Sequence, residues 1–200
     1  MLPLVLAALV AQNAQAPAPK TEAPVALQIR VFDGTDEVTA DAKLNVYPAG
    51  DRTTPVAHTT VPGKGGVFNV KPGFYDIQVI RQEDGRVLSV RWTERLLVIH
   101  YPDEAGVHLQ VINFKPGFGA LQIMPPPGAA PDWSASAYPA GERGQPAGRP
   151  FTGTGYTLFV LPAGRYDVEV QDGERASWLT DIDVPLDRTR LKHAPAIGRR

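Results

Sequence analysis

Two hundred residues with 43% apolar side chains suffice for one large domain or two small ones with packed cores. Twenty Lys and Arg against 21 Asp and Glu leave a formal net charge of -1, and no basic stretch exceeds a pair, which excludes nucleic acid as a partner held by a basic surface. The absence of cysteine excludes disulfides, thiolate metal sites, a cysteine nucleophile and a lipidated cysteine.

In chain order, Leu2 to Val10 is an apolar run too short to span a bilayer, followed by Ala14-Gln15-Ala16, an A-x-A cleavage pattern. Residues 1–16 therefore read as an export signal, although no Lys or Arg precedes the run and Pro17 follows the cut. Residues 17–24 read as a Pro/Ala linker. Thereafter short alternating runs separated by Gly and Pro point to strands and turns, giving an all-β chain. "VALQIRVFDG" and "KLNVYPAG" are alternating strands, "RVLSVRWTERLLVIHY" reads as two strands bent near Thr93-Glu94, and "GVHLQVINF" is a closing strand. Asp84-Gly85 and Asp172-Gly173 are hairpin signals of type I′ character.

The chain repeats itself. Shifted by 91 positions, "YPAGDR" (47–52) falls on "YPAGER" (138–143), Phe68 on Phe159, Gly73 on Gly164, Tyr75 on Tyr166 and Asp76 on Asp167. "LQIR" (27–30) matches "LQIM" (121–124) with three residues dropped, and Trp92 corresponds roughly to Trp178. This order and spacing read as an internal duplication: two tandem Ig-like or prealbumin-like β-sandwich domains, at 25–115 and 116–192, with a tail at 193–200. The second copy lacks a clear counterpart of "GVHLQVINF".

Within the repeated phrase, "FNVKPGFYDIQV" and "FVLPAGRYDVEV", alternation puts Tyr75, Ile77 and Val79 on a buried face and Asp76 and Gln78 on a wet one. The turn reads as the bend of a hairpin, with Gly73 and Gly164 supplying positive φ. Tyr75 and Tyr166 fit a tyrosine corner, in which the ring is buried and the hydroxyl returns to an upstream main-chain group. The alternative is a catalytic or ligand-stacking tyrosine.

These phrases resemble the P-G-x-Y-x-V-x-V signature of carboxypeptidase-regulatory-like (transthyretin-type) and related Ig-like bacterial surface domains. The resemblance spans most of 25–113 and, less completely, 119–190. It implies non-catalytic modules of exported proteins: spacers, adhesive units or appendages. The related collagen-adhesin B-type domain often carries a Lys–Asn isopeptide bond. Asn113 occupies a suitable final strand, but Arg30 stands where lysine is wanted, so no such bond is expected.

Chemistry is sparse. His58, His100, His108 and His193 show no ligand spacing, no nucleophile elbow or phosphate loop occurs, and no metal or cofactor is expected. The acidic stretches "FDGTDE" and "TDIDVPLD" occupy different places in the two copies and read as solvated loops rather than calcium sites. Trp92 shares parity with Leu88 and Val90, which argues for core, whereas Trp133 is the tryptophan expected at the surface.

Two functions fit. One is a non-catalytic, exported module, periplasmic, secreted or on the cell surface, without a transmembrane span once matured. It presents the "YPAG" loops or edge strands to a cell-envelope protein, with Arg52 and Arg143 in those loops. The other is a glycan- or cell-wall-binding module that stacks sugars on Trp133, Tyr138 and Tyr47, with Trp92 and Trp178 as further members of the platform.

Overall fold

The computed structural model describes residues 23–59, 66–100, 107–153 and 155–197. The segment read as an export signal and most of the stretch read as a linker lie outside the described residues. Strands dominate: β1 (Val25–Asp33), β2 (Asp36–Glu37), β3 (Ala42–Pro48), β4 (Ala57–His58), β5 (Val67–Val70), β6 (Gly73–Glu83), β7 (Arg86–Val98) and β8 (Val107–Asn113). They continue with β9 (Phe118–Met124), β10 (Ser134–Pro139), β11 (Phe151–Gly153), β12 (Tyr156–Pro162), β13 (Gly164–Asp172), β14 (Arg175–Val184) and β15 (Thr189–His193). One short 3-10 turn, Thr39–Asp41, interrupts them, and no described helix is long and apolar enough to cross a membrane.

Four sheets result. β1 carries β2 and β5 on one side and β8 on the other, and faces the sheet β4-β3-β6-β7. The sheet β11-β12-β9-β15 faces β10-β13-β14. Alternation explains the pairing: Leu27, Ile29 and Val31 of β1 meet Leu44, Val46, Ile77 and Val79 in one core. Leu121, Ile123, Phe159 and Leu161 meet Ala135, Ala137, Val168 and Val170 in a second. The fold is an all-β sandwich architecture.

A third core joins the two sheet pairs. Phe32, Leu109 and Val111 pack against Ala120, Met124, Tyr156, Leu158 and Val160, residues whose parity turns them away from their own pair's core. Phe32 and Phe151 make an edge-to-face contact at 5.0 Å. Polar ties rim this junction: Tyr156 Oη donates to Gln28 Oε1 (3.2 Å), Val111 N donates to Thr189 Oγ1 (3.0 Å), and Arg91 pairs with Asp187 (2.5 Å). The sheets therefore stack four deep.

Several sequence expectations change. The repeated phrase does not form hairpins: β5 pairs with β1 while β6 pairs with β3 and β7, and β12 and β13 likewise belong to different sheets. Turn residues encode a chain reversal, not which sheet receives the next strand. Neither Gly73 nor Gly164 has positive φ, and a Cβ on either would only touch its tyrosine ring at 3.7 Å. The "RVLSVRWTERLLV" stretch is one strand, β7, with a bulge at Glu94-Arg95 where Arg95 takes φ 52°. Both Asp84 and Gly85 have positive φ, as a type I′ turn requires, but in the second hairpin Gly173 does and Asp172 does not.

The counterpart of "GVHLQVINF" is β15, which pairs parallel with β9 as β8 pairs with β1. Its polar sequence, "TRLKH", hides it because only one edge is bonded and little of it is buried. Ala194, placed in the tail, is buried in the second core. Of "TDIDVPLD", residues 180–184 lie in β14 rather than in a loop.

Candidate functional site

The residues with the most suggestive chemistry assemble into two matching clasps. In the first sheet pair, β3 delivers Tyr47 and β7 delivers Trp92, and their rings meet at 5.7 Å. The "YPAG" turn that follows β3 carries Arg52 back over the indole, with its guanidinium carbon 4.2 Å from the ring centroid. In the second pair Tyr138 meets Trp178 at 5.5 Å, and Arg143 covers that indole, again at 4.2 Å. One face of each indole is thus occupied by the protein's own cation.

An aspartate anchors each clasp. Asp76 is 3% exposed although its alternation points to solvent. It accepts from Arg95 N (2.9 Å), Arg52 Nε (3.0 Å) and Gly50 N (3.3 Å), so it ties the turn after β3 to the bulge in β7. Asp167, 5% exposed, accepts from Asp181 N (2.8 Å) and Gly141 N (3.1 Å), and Asp181 has φ 57° as Arg95 has 52°. The wet-face expectation for Asp76 is overturned because a bulged strand leaves backbone N–H groups that a carboxylate can collect.

Burial works against ionisation of Asp76, but the N–H of Arg95, the Arg52 guanidinium and the N–H of Gly50 together hold its carboxyl below the usual range. Hydrogen bonds from Asp181 N and Gly141 N do the same for Asp167, with the Arg143 charge assisting. Arg52 is raised above its ordinary value by its bonds to Glu94 and Asp76. The Tyr75 hydroxyl donates to Lys71 O (2.6 Å) and the Tyr166 hydroxyl to Pro162 O (2.8 Å), and burial raises both phenols. This is tyrosine-corner geometry.

The structure separates Trp133 from the other aromatic candidates: it packs, half-buried, against the second core. Leu88 and Val90 are exposed, so the parity that assigned Trp92 to the core marks the outer face, where Tyr47 and Arg52 cover it. His108 is buried, with its imidazole lowered by burial against a hydrogen bond to the Ile99 backbone, whereas exposed His100 lies 2.9 Å from Ala23 O. Among the described residues no group of His, Asp and Glu is placed to hold a metal. The sequence carried a signal for the aspartates that went unused: the same acid recurs after each repeated tyrosine, at a position where any polar residue would satisfy solvation.

Sequence reasoning missed a groove of about 670 Å³ between the sheet pairs. Its wall is the continuous stretch Arg91–Leu97 of β7, opposed by His108, Leu109 and Gln110 of β8 and by Thr189–Leu191 of β15. Each of these strands ends its sheet among the described residues. Three edges meet in one groove.

Fold and clasps together define an all-β sandwich protein whose aromatic and charged constellations are internally satisfied. No protein-family model and no curated protein matches the chain. Among solved structures, the Bacillus anthracis TIE protein is 16% identical with a TM-score of 0.30, covering 88% of this chain. The chain spans 34% of that protein's length. A candidate adhesin of Bacteroides ovatus is 10% identical with a TM-score of 0.30, over 88% of this chain and 94% of the other. Likeness at that level assigns neither family nor activity.

Proposed function

We propose that this protein is a non-catalytic interaction module of the cell envelope, built from two duplicated β-sandwich repeats and carrying its partner on sheet edges rather than on its "YPAG" loops. The observation that carries this is the convergence of β7, β8 and β15 on one groove. Sheet edges offer unpaired main-chain N–H and C=O groups, which natural proteins otherwise cover or block. The loops are engaged inward: Arg52 and Arg143 cap indoles, and Arg149, near the end of the second loop, reaches Thr35 O (3.3 Å) across the junction. Export rests on the apolar run at Leu2–Val10 and the small residues after it.

The glycan reading needs open aromatic faces. The clasps close one face of Trp92 and of Trp178, and Trp133 packs on a core, so the interaction reading is preferred. The test is capture from cell-envelope extract by the immobilised protein, beside retention on isolated peptidoglycan. Capture of a protein that survives Trp133→Ala and is lost with Leu97→Asp supports the module. Glycan retention abolished by a tryptophan substitution would overturn it.

A further inference from the structure

The two sheet pairs differ where they ought to match. Phe74 of β6 pairs with Leu97 of β7, but at the corresponding positions Arg165 pairs with Asp183. Ile80 pairs with Val90, whereas Gln171 pairs with Ala176. Arg95 at the first bulge corresponds to Asp181 at the second, which forms an ion pair with Arg165. β14 thus follows the usual protection of an edge strand by charge. β7 carries charges and a bulge too, but it also leaves apolar side chains open: Val87, Leu88, Val90 and Leu97 are 57, 51, 49 and 40% exposed, and Phe74 beside it is 50% exposed.

Charge distinguishes this edge further. The groove beside β7 is lined by four arginines, Arg91, Arg95, Arg188 and Arg190, against two carboxylates, Glu94 and Asp187, with Arg91 paired to Asp187 and Arg190 to Asp183 just outside the lining. That is a local positive excess on a chain whose net charge is -1. Leu96, Leu97, Leu109 and Leu191 supply apolar wall between the cations.

We propose that β7 is a strand-addition site, and that its occupant is an extended acidic segment of a partner protein with alternating apolar side chains. This rests on the interaction-module reading and names the ligand class of that same groove. The segment's main chain bonds to the open edge of β7 between Arg91 and Leu97. Its carboxylates meet the arginines, and its apolar residues, on the opposite parity, cover Leu97 and its neighbours. Residues at the corresponding places in β14 make that strand unable to bind the same segment.

The test uses the full chain and two short fluorescein-labelled peptides, one alternating Glu with Val and one alternating Lys with Val. Anisotropy should show the Glu peptide binding at least about tenfold more tightly than the Lys peptide, as charge complementarity requires. Hydrogen exchange should slow in Arg91–Leu97 on its addition. Arg188→Glu, which lies outside β7, and Leu97→Asp, which installs the residue of the second pair, should each weaken the Glu peptide about tenfold while leaving the unfolding midpoint near wild type. Equal binding of both peptides, binding of neither, or protection outside β7 overturns the proposal. So does a concentration-dependent dimer whose protection falls on β7 without peptide, which would make a second copy the occupant. If both peptides fail while envelope-protein capture persists, the groove assignment falls and the interaction module stands.

Discussion

Tyr75 and Tyr166 do the same work at matching corners. Each ring lies in a core and each hydroxyl returns to a carbonyl four residues upstream. Phenylalanine at either position keeps the ring and loses the bond, so Tyr75→Phe and Tyr166→Phe should each cost about 1 kcal/mol in denaturant unfolding. A null effect at both would mean the hydroxyl bonds are replaced by water. The aspartates beside them predict a pH dependence. The folded pKa of Asp76 and of Asp167 lies below the ordinary value, taken as about 3.9 in the unfolded chain. Their contribution is therefore fully present above the unfolded value and is lost as pH falls through the folded one. Asp76→Asn combined with Asp167→Asn should flatten the acid limb of stability below about pH 4, read as the unfolding midpoint across an acid pH series. An unchanged limb would assign acid sensitivity elsewhere.

At the scale of elements, the parallel closing strands β8 and β15 are held differently. β8 is buried along most of its length, whereas β15 is mostly exposed and depends on β9 and on close backbone approach at its base. Gly119 permits that approach: a Cβ there would lie 2.0 Å from Pro185 O, a main-chain atom that cannot move aside cheaply. Gly119→Ala should destabilise by about 1–3 kcal/mol and increase exchange at Thr189–His193, while leaving the first core's amides protected. Equal loss of protection in both sheet pairs would show that β15 is not the weak element.

At the scale of the molecule, the third core decides whether the sheet pairs unfold together. Phe32 and Leu158 are fully buried in it, one from each pair. Phe32→Ala should cost about 3–5 kcal/mol and Leu158→Ala about 2–5 kcal/mol. Beyond the loss of stability, either should split a single unfolding transition into two, followed at Trp92 and Trp178 separately by replacing the other tryptophans with phenylalanine. One unsplit transition in both variants would mean that the rim contacts, such as Arg91 with Asp187, couple the pairs without the apolar core.

Much of this architecture is legible in the amino-acid sequence. Period-two alternation marked β1, β3, β6 and β13 as strands with one inward face, because a strand has only two faces and burial selects one. The repeated "YPAG" and tyrosine phrases marked corresponding strands and turns, because those turns need particular residues nearby in sequence. Sheet membership was decided only by tertiary structure: β5 and β6 adjoin in the chain yet bond to different partners. So were the fate of Asp76, which depends on a bulge in a strand some twenty residues away, the capping of Trp92 and Trp178, and the finding of β15. The outward residues of β1, β8, β9 and β12 formed a third core because two sheets each had a second apolar face, and the groove beside it exists only where three edges from distant segments converge. Local pattern reports which side of a strand avoids water. It cannot report which surface arrives to exclude that water, because that depends on contacts between residues far apart in the chain.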